Sequence, residues 1–99
     1  MARRIVWSKR SIEDRKDIYS YWNQRNSSKA YSRKLNQFFI ASVELLSVHP
    51  KLGRTSSKKG VKIKVVRDYL LLYEFDEKEL RILTIFGSRQ DPRVLKNDL

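Results

Sequence analysis

The sequence lacks cysteine altogether. A chain without cysteine has no disulfide framework, no thiolate metal site and no cysteine nucleophile. Histidine is nearly absent as well, since His49 is the only one in 99 residues. No apolar run approaches the roughly 20 residues that a helix needs to cross a bilayer, and the amino terminus has no apolar signal core. These absences predict a protein of the reducing cytoplasm with no membrane partner.

Positive charge, by contrast, is abundant. The 22 Lys and Arg residues outnumber the 11 Asp and Glu residues, which gives a formal net charge of +11. Such a field attracts polyanions, and nucleic acid, the ribosome or an acidic protein would each satisfy it. A basic surface can also serve solubility alone, so charge does not decide among these explanations. Its distribution is more specific, because residues 51–67 contain seven basic side chains and no acidic one.

Three consecutive strands are predicted in the second half of the chain, and the earlier residues are expected to cover them. The strands are residues 61–65, 69–75 and 80–86. The first alternates apolar and basic side chains with the period of 2 of a strand, which puts Lys62 and Lys64 on one face. The other two are apolar runs that suit a central strand and its neighbour. Short polar connections between them predict an antiparallel meander.

The first of two predicted helices begins at a Ser8 or Ser11 cap. Glu13 and Asp14 then lie in the first turns, where the helix dipole favours negative charge. The stripe expected to face the sheet consists of Ser11, Ile12, Arg15, Ile18, Tyr19 and Trp22. The aliphatic stem of Arg15 can pack in this stripe while its guanidinium reaches the edge.

A second, longer helix follows a polar break over residues 23–28. Ser27 or Ser28 is its predicted cap, and it ends at about His49, before Pro50. Its apolar stripe consists of Ala30, Tyr31, Leu35, Phe38, Phe39, Ser42, Leu45 and Leu46. The spacing of three and four residues predicts that this face packs on the sheet.

These elements predict a single α+β domain over residues 1–99, with the order β-α-α-β-β-β. A short amino-terminal strand leads into an antiparallel helix hairpin, which packs on one face of an antiparallel sheet completed by the meander. Residues 50–60 form a basic irregular loop without a Gly-Lys-Ser phosphate-binding sequence. A short helical tail over residues 93–99 closes the chain.

No cofactor or metal is expected from these residues. Glu13 and Asp17 lie four residues apart on the first helix, a spacing that can serve a metal or an acid and base pair. Lysine and arginine side chains surround them, however, and no histidine is near. An exposed lattice of ion pairs, worth a few tenths of a kcal/mol each, is the preferred interpretation.

Five local sequences, in this order along the chain, are landmarks of a known superfamily. They are Val6-Trp7-Ser8, Tyr21-Trp22, Pro50-Lys51-Leu52-Gly53-Arg54, Tyr69-Leu70-Leu71-Leu72-Tyr73-Glu74-Phe75 and Arg89-Gln90-Asp91-Pro92. In these positions the chain resembles the RelE/ParE toxins of bacterial type II toxin-antitoxin systems. The resemblance implies a toxin that is held inactive by a cognate antitoxin in a hetero-oligomer.

Two activities occur in this superfamily, since RelE-like toxins cut messenger RNA on the ribosome and ParE-like toxins poison DNA gyrase. RelE-like cleavage uses basic side chains that polarise the phosphate and a tyrosine near the carboxy terminus. Lys62, Lys64 and Arg89 match three of the basic positions. Leu70 and Leu95 stand where RelE-like enzymes have an arginine and the tyrosine. This incomplete set favours the ParE-like function over the alternative of ribosome-dependent RNA cleavage.

The resemblance also predicts which residues meet each partner. The predicted target-binding residues are Arg54, Arg67, Arg89, Gln90, Asp91 and Arg93. The predicted antitoxin-binding residues are Leu70, Leu72, Lys58 and Lys59, because the face opposite the helices is expected to carry an apolar patch with Lys62 and Lys64 beside it. A different class, a non-toxic basic module that binds nucleic acid, stays open, although no helix-turn-helix or RNA-binding signature supports it.

Overall fold

The structure, a computed structural model, describes residues 2–88. The elements are β1 (Arg4–Trp7), α1 (Lys9–Asn26), α2 (Ala30–Val48), a 3-10 helix (Pro50–Leu52), β2 (Arg54–Thr55), β3 (Lys62–Val66), β4 (Tyr69–Phe75) and β5 (Glu79–Gly87). Their order confirms the predicted α+β fold, with two helices between a first strand and a meander. An unpredicted feature is β2, a two-residue strand in the segment expected to be irregular. The predicted helical tail over residues 93–99 lies outside the described residues.

The strands form one sheet in the order β1-β5-β4-β3-β2. Strands β3, β4 and β5 pair antiparallel, as the meander requires. The prediction that the whole sheet is antiparallel is wrong for β1, which pairs in parallel with β5 and places Trp7 opposite Ile82. A parallel neighbour needs a long crossover connection, and the two helices supply most of it. This crossover also brings both helices onto one face of the sheet.

The main core lies between the helices and this face of the sheet. The buried α2 side chains are Leu35, Phe39, Val43 and Leu46, and they meet Leu71, Tyr73, Leu80, Ile82 and Ile85. The prediction that Leu45 belongs to this stripe is wrong, since its side chain is 45% exposed. One residue turns an α-helix by about 100°, so Leu45 cannot share the direction of Leu46. Ile12 of α1 was expected in the α1 stripe and is 42% exposed instead.

Strand pairing shows which side of the sheet the two central lysines occupy. Lys62 lies opposite Tyr73, and Lys64 lies opposite Leu71. Residues directly opposite in neighbouring strands share a face, and Tyr73 and Leu71 belong to the main core. The lysines are therefore on the side of the sheet that the helices cover, near the edge formed by β2 and β3.

Leu70 and Leu72 point to the opposite side of the sheet, because side chains alternate along a strand. They are only 5% and 3% exposed, respectively. Both belong to a second apolar cluster that also contains Val61, Ile63, Leu83 and Phe86. The prediction of an exposed patch shared with the lysines is therefore wrong, because β4 is apolar on both sides and its pattern does not fix which residues face the helices. The role of Leu70 and Leu72 as antitoxin contacts stays a prediction.

Ser8 links the end of β1 to the start of α1. Its hydroxyl oxygen accepts a 3.0 Å hydrogen bond from the Ser11 N–H, so Ser8 is the N-cap. The same hydroxyl donates to the Leu83 carbonyl of β5 at 2.8 Å. With the cap at Ser8, one of the two predicted caps, the first turn of α1 contains no acidic residue, and Glu13 and Asp14 lie in the second turn.

Asp14 completes the edge of β5 beyond the last residue of β1. Its Oδ2 atom accepts hydrogen bonds from the Ile85 N–H at 3.0 Å and from the Thr84 hydroxyl at 2.6 Å. A buried backbone N–H needs an acceptor, and here no strand lies alongside to supply one. Asp14 therefore takes the place of the strand neighbour that β5 lacks at this point.

The connection between the helices differs in detail from the prediction. Helix α1 continues to Asn26, and Ser27 ends it with a left-handed φ of 49°. The N-cap of α2 is Lys29, which makes no side-chain capping bond. The hydroxyl of Ser28 accepts instead from the Ala30 N–H at 3.1 Å. Neither serine is the N-cap of α2, although the Ser28 hydroxyl accepts a backbone hydrogen bond from one position before the N-cap.

Arg15 joins α1, α2 and β1 through its guanidinium. The group lies 4.3 Å from the centroid of the Trp7 ring and donates to Asn36 Oδ1 at 2.8 Å. The Tyr19 hydroxyl donates to the same oxygen at 2.8 Å. Arg15 thus packs its stem as predicted, but its charged end is held by specific partners rather than released to solvent.

Replacement of Asp14 tests its contribution to the sheet edge. Asp14→Ala leaves the Ile85 N–H without its acceptor, so the free energy of unfolding should fall by about 1–3 kcal/mol. Asp14→Asn should lose less, because the amide oxygen can still accept. Urea unfolding measures both. The control is Asp17→Ala on the exposed side of α1, where the change should stay below about 0.5 kcal/mol. Equal effects of the two alanine substitutions would contradict the role of Asp14.

Candidate functional site

An open groove of about 400 Å³ lies at the sheet edge formed by β2 and β3. The residues that line it are Thr55, Ser56, Lys58, Lys59, Gly60, Val61, Lys62 and Phe75. Three of these are lysines and none is acidic. This lysine groove concentrates part of the positive charge that the sequence places in residues 51–67.

Ser56 shapes the turn that carries two of the lysines. Its hydroxyl lies within hydrogen-bonding distance of the Val61 carbonyl (2.7 Å) and the Lys58 carbonyl (2.9 Å). The Lys58 N–H donates to the Ser56 hydroxyl oxygen at 3.2 Å. Gly60 has a φ of 84°, in the left-handed region that glycine adopts without steric cost. The backbone of the turn is thus held in place while the side chains of Lys58 and Lys59 stay exposed.

Tyr73 ties this edge of the sheet to the chain that follows α2. The side chain is fully buried, and its hydroxyl donates to the Pro50 carbonyl at 2.6 Å and accepts from the Gly53 N–H at 2.9 Å. Burial raises the pKa of Tyr73, and the Gly53 bond opposes that rise. The raised pKa keeps the hydroxyl protonated, as a donor to Pro50 must be. Lys62 Nζ reaches the Gly53 carbonyl at 3.5 Å, so the same segment meets the wall of the lysine groove.

Gly53 is required by this close approach. A Cβ atom at that position would stand 2.3 Å from the Tyr73 hydroxyl oxygen and 2.9 Å from the Ile63 carbonyl oxygen. Both distances are shorter than van der Waals contact, and the carbonyl belongs to the backbone of the sheet. The glycine of the segment over residues 50–54 is thus explained by packing against β3 and β4.

The two predicted catalytic lysines have no carboxylate beside them. Among residues 2–88, the cations of the ion pairs are Arg4, Arg10 and Arg81. The same residues contain no group of three His, Asp or Glu side chains that could hold a metal ion. Lys62 and Lys64 can therefore attract an anion, and within residues 2–88 neither is bonded to a carboxylate or an imidazole.

Two of the predicted target-binding arginines lie at opposite ends of β3. Arg54 is exposed on β2, beside Thr55 of the lysine groove. Arg67 forms the tip of the turn between β3 and β4 with a φ of 57°, and its guanidinium lies 4.1 Å from the centroid of the Phe38 ring. An exposed cation–π contact of this kind is worth about 0.5–1 kcal/mol. Arg67 thus holds the turn against α2, and target binding by either arginine stays a prediction.

The acidic residues of the last hairpin are grouped around Arg81. Its guanidinium lies 3.2 Å from Glu74, 2.9 Å from Asp76 and 3.4 Å from Glu79. Two backbone N–H groups donate to Asp76 as well, and together with Arg81 they lower the pKa of this carboxyl to about 2. A hydrogen bond from Arg4 lowers the pKa of Glu79. Three of the four acidic side chains of this hairpin are thus paired with arginine, Glu77 being the exception, and none of the four lines the lysine groove.

Several predicted site residues lie outside the described part of the chain. They are Arg89, Gln90, Asp91, Arg93 and Leu95. The described chain leads up to them at Ser88, whose N–H donates to the Asp68 carbonyl at 2.8 Å. The catalytic role of Arg89 and the target-binding roles of Arg89, Gln90, Asp91 and Arg93 stay predictions, as does the placement of Leu95 at the position of the RelE-like tyrosine.

Two parts of the site were not predicted from the sequence. Phe75 was assigned only to a strand, yet it lines the lysine groove. Tyr73 was assigned to the same strand, without its contact to Pro50 and Gly53. The Pro-x-x-Gly spacing directly after a helix was the available signal, because it indicates a tight, fixed path rather than a mobile loop.

The comparison with protein families decides the classification. The model of the ParE toxin of type II toxin-antitoxin systems, parDE, matches residues 5–92. The chain belongs to the ParE toxin family. The matched range includes both helices, every strand from β2 to β5 and the lysine groove of this ParE-family chain.

Solved structures share the fold of this ParE-family chain. A chain of the chromosomal ParDE system from P. aeruginosa matches with a TM-score of 0.75 and 20% identity, covering 87% of this chain and 96% of that one. The E. coli DinJ-YafQ toxin-antitoxin complex gives a TM-score of 0.53 and 18% identity, covering 88% and 93%. YafQ from E. coli strain BL21(DE3) gives 0.50 and 19%, covering 86% and 92%. No curated protein sequence matches the chain.

The buried hydroxyl of Tyr73 should contribute measurably to stability. Tyr73→Phe leaves the Gly53 N–H and the Pro50 carbonyl without their buried partner, so the free energy of unfolding should fall by about 1–3 kcal/mol. Urea unfolding measures the loss. Tyr31→Phe is the matched control, because it removes a hydroxyl from a half-buried ring that packs edge-on against Trp22. If both variants unfolded at the same urea concentration, the proposed contribution of the Tyr73 hydrogen bonds to stability would be refuted.

Acid should weaken the hairpin through Asp76. The pKa of this carboxyl is about 2 in the folded protein, below its ordinary 3.8, so ionised Asp76 stabilises the fold above about pH 4. That contribution is lost as the pH falls from about 4 towards 2. Asp76→Asn should therefore be less stable than the original protein at neutral pH, and the difference should shrink across this window. A stability difference that stays constant from neutral pH to about pH 2.5 would count against the pairing, and Asp17→Asn serves as the exposed control.

Proposed function

We propose that this protein is a toxin that stops bacterial growth by poisoning DNA gyrase and that a cognate antitoxin neutralises it. Membership of the ParE toxin family supports the toxin role. The TM-score of 0.75 with the ParDE chain, against 0.53 and 0.50 with the YafQ chains, supports the ParE-like choice. Fold similarity alone does not assign an activity, so the choice of target depends on the chemistry of the site.

The observation that carries the gyrase proposal is that no carboxylate or histidine of residues 2–88 is bonded to the lysines. Within residues 2–88, Lys62 and Lys64 have neither a carboxylate nor the single histidine as a hydrogen-bond partner. Leu70, at the position of a RelE-like arginine, is buried on the other side of the sheet. A gyrase poison needs no such group, since gyrase itself cuts and rejoins DNA. Positive charge and shape are sufficient for a protein that acts by binding.

RNA cleavage on the ribosome is the second candidate. Lys62 and Lys64 share a face of β3 at the sheet edge, as a phosphate-binding pair would. The fold is also shared with YafQ, which supports a RelE-like alternative only at the level of fold. This candidate requires a proton-transfer group from residues 89–99 or from the ribosome.

An antitoxin is the expected partner in either case. The DinJ-YafQ and ParDE structures are toxin-antitoxin assemblies, and a hetero-oligomer of the same kind is proposed here. A net charge of +11 suits an acidic antitoxin segment, with Lys58 and Lys59 on the rim of its footprint. Leu70 and Leu72 are buried, so they would serve as apolar anchors only if the second cluster opened on binding.

The proposed targets place the protein in the cytoplasm, where both gyrase and ribosomes act. Across residues 2–88, neither helix combines the length and apolarity needed to cross a membrane. The cytoplasmic location depends on the proposed function, which involves no membrane partner.

Induced expression without antitoxin distinguishes the two targets. Gyrase-linked double-strand breaks and a DNA-damage response should appear before protein synthesis falls. Lys64→Gln sharpens the comparison, because it should leave the breaks unchanged if gyrase is the target but reduce transcript cleavage at least tenfold if the lysine stabilises a cleaving phosphate. Lys34→Gln on the exposed face of α2 is the control for the loss of one charge. Early arrest of protein synthesis with cut transcripts and no breaks would refute gyrase poisoning.

A further inference from the structure

The lysine groove is suited to an extended anion rather than to a small apolar molecule. Lys58, Lys59 and Lys62 bring three positive charges to its walls, and no acidic residue lines it. Of the carboxylates in the nearby hairpin, Glu74, Asp76 and Glu79 are engaged by Arg81, and Glu77 does not line the groove. The positive potential of the groove is therefore not cancelled locally, and an anion that enters it meets several lysines at once.

Two apolar side chains, Val61 and Phe75, lie among the residues that line the groove. Peptides gain most of their affinity from a few apolar or aromatic side chains in desolvated pockets. Here Val61 is only 6% exposed, and the guanidinium of Arg3 lies 5.4 Å from the centroid of the Phe75 ring. Charge of one sign is the feature that three of the eight lining residues share.

The groove carries few of the side chains that distinguish one base from another. Arginine, asparagine and glutamine, which recognise base edges with paired hydrogen bonds, do not line it, and Thr55, Ser56 and the lysines are the lining residues that can reach a base. Lysine acts on phosphate as a mobile point charge, and the lysines of the Ser56 turn extend from a fixed backbone. Charge without base recognition matches a ligand with regularly repeated phosphates.

We infer that the lysine groove binds the sugar–phosphate backbone of duplex DNA without sequence preference. The choice of DNA over RNA rests on the proposed function, because a gyrase poison acts where gyrase holds duplex DNA. In that setting the groove adds a second contact, to the DNA, beside the contact with gyrase itself. Two linked contacts bind more tightly than either alone, provided that both can be made together.

The salt dependence of binding tests this inference directly. Each phosphate neutralised on duplex DNA contributes about 0.9 to the slope of log K against log salt concentration. The double variant Lys58→Gln, Lys59→Gln should therefore lower the slope by about 2. Lys9→Gln with Lys16→Gln removes the same charge from exposed positions on α1, beside the opposite edge of the sheet. This control should leave the slope unchanged.

The measurement uses the full chain and a labelled DNA duplex of about 20 base pairs, followed by fluorescence anisotropy over a series of sodium chloride concentrations. A smaller slope for the groove variant than for the α1 variant supports the inference. Equal slopes for the two variants, or no DNA binding by the original protein, would overturn it. A duplex RNA of the same length is the second probe, and tighter binding to RNA than to DNA would overturn the assignment to DNA.

A parallel assay of gyrase with supercoiled plasmid separates this inference from the proposed function. If the protein leaves gyrase unaffected while the groove variant shows the reduced slope, gyrase poisoning is wrong and DNA binding by the groove stands. If the protein traps gyrase on cut DNA while the slope is unchanged in the groove variant, the proposed function stands and the groove assignment is wrong.

Discussion

A buried phenol hydroxyl connects the core of this protein to its basic edge. Tyr73 lies in the central strand β4, opposite Lys62 on one side and Ile82 on the other, and its ring is part of the main core. Its hydroxyl bonds to Pro50 and Gly53, so the chain leaving α2 must pass directly over the ring. Buried polar groups without partners cost about 1–3 kcal/mol each, which disfavours any other path. The position of β2 and of the lysine groove thus depends on a contact made inside the core.

Charge is segregated along the sheet as a consequence of the fold. The turn between β4 and β5 brings the acids next to Arg81, while the turn between β2 and β3 brings lysines together without acids. The two turns lie near each other, since Phe75 ends β4 at the groove and Asp76 follows it directly. Because Arg81 holds Asp76 and Glu79 of one turn, these two acids are engaged within their own hairpin, and no acid lines the groove beside the lysines of the other turn.

The parts of the fold that were predictable are those that a local pattern fixes. The alternation in β3 and the polar breaks on either side of β4 specify the meander. The face assignment was not predictable, because Leu70, Leu71 and Leu72 are successive apolar residues and a shift by one residue exchanges the two sides of the sheet. The parallel pairing of β1 with β5 depends on the long connection between these strands. The Tyr73 hydroxyl bonds to groups 20 or more residues away in the sequence. Neither feature leaves a periodic signal in the sequence.

The same limits explain why the basic run was found while its chemistry stays a prediction. Spacing alone placed Lys62 and Lys64 together, and the pairing of β3 does place them on one face. Only the folded chain shows what surrounds each lysine, and in residues 2–88 the hydrogen-bond partner of Lys62 is the Gly53 carbonyl. A site of this composition is suited to hold a charged partner while the bond-breaking chemistry belongs to that partner.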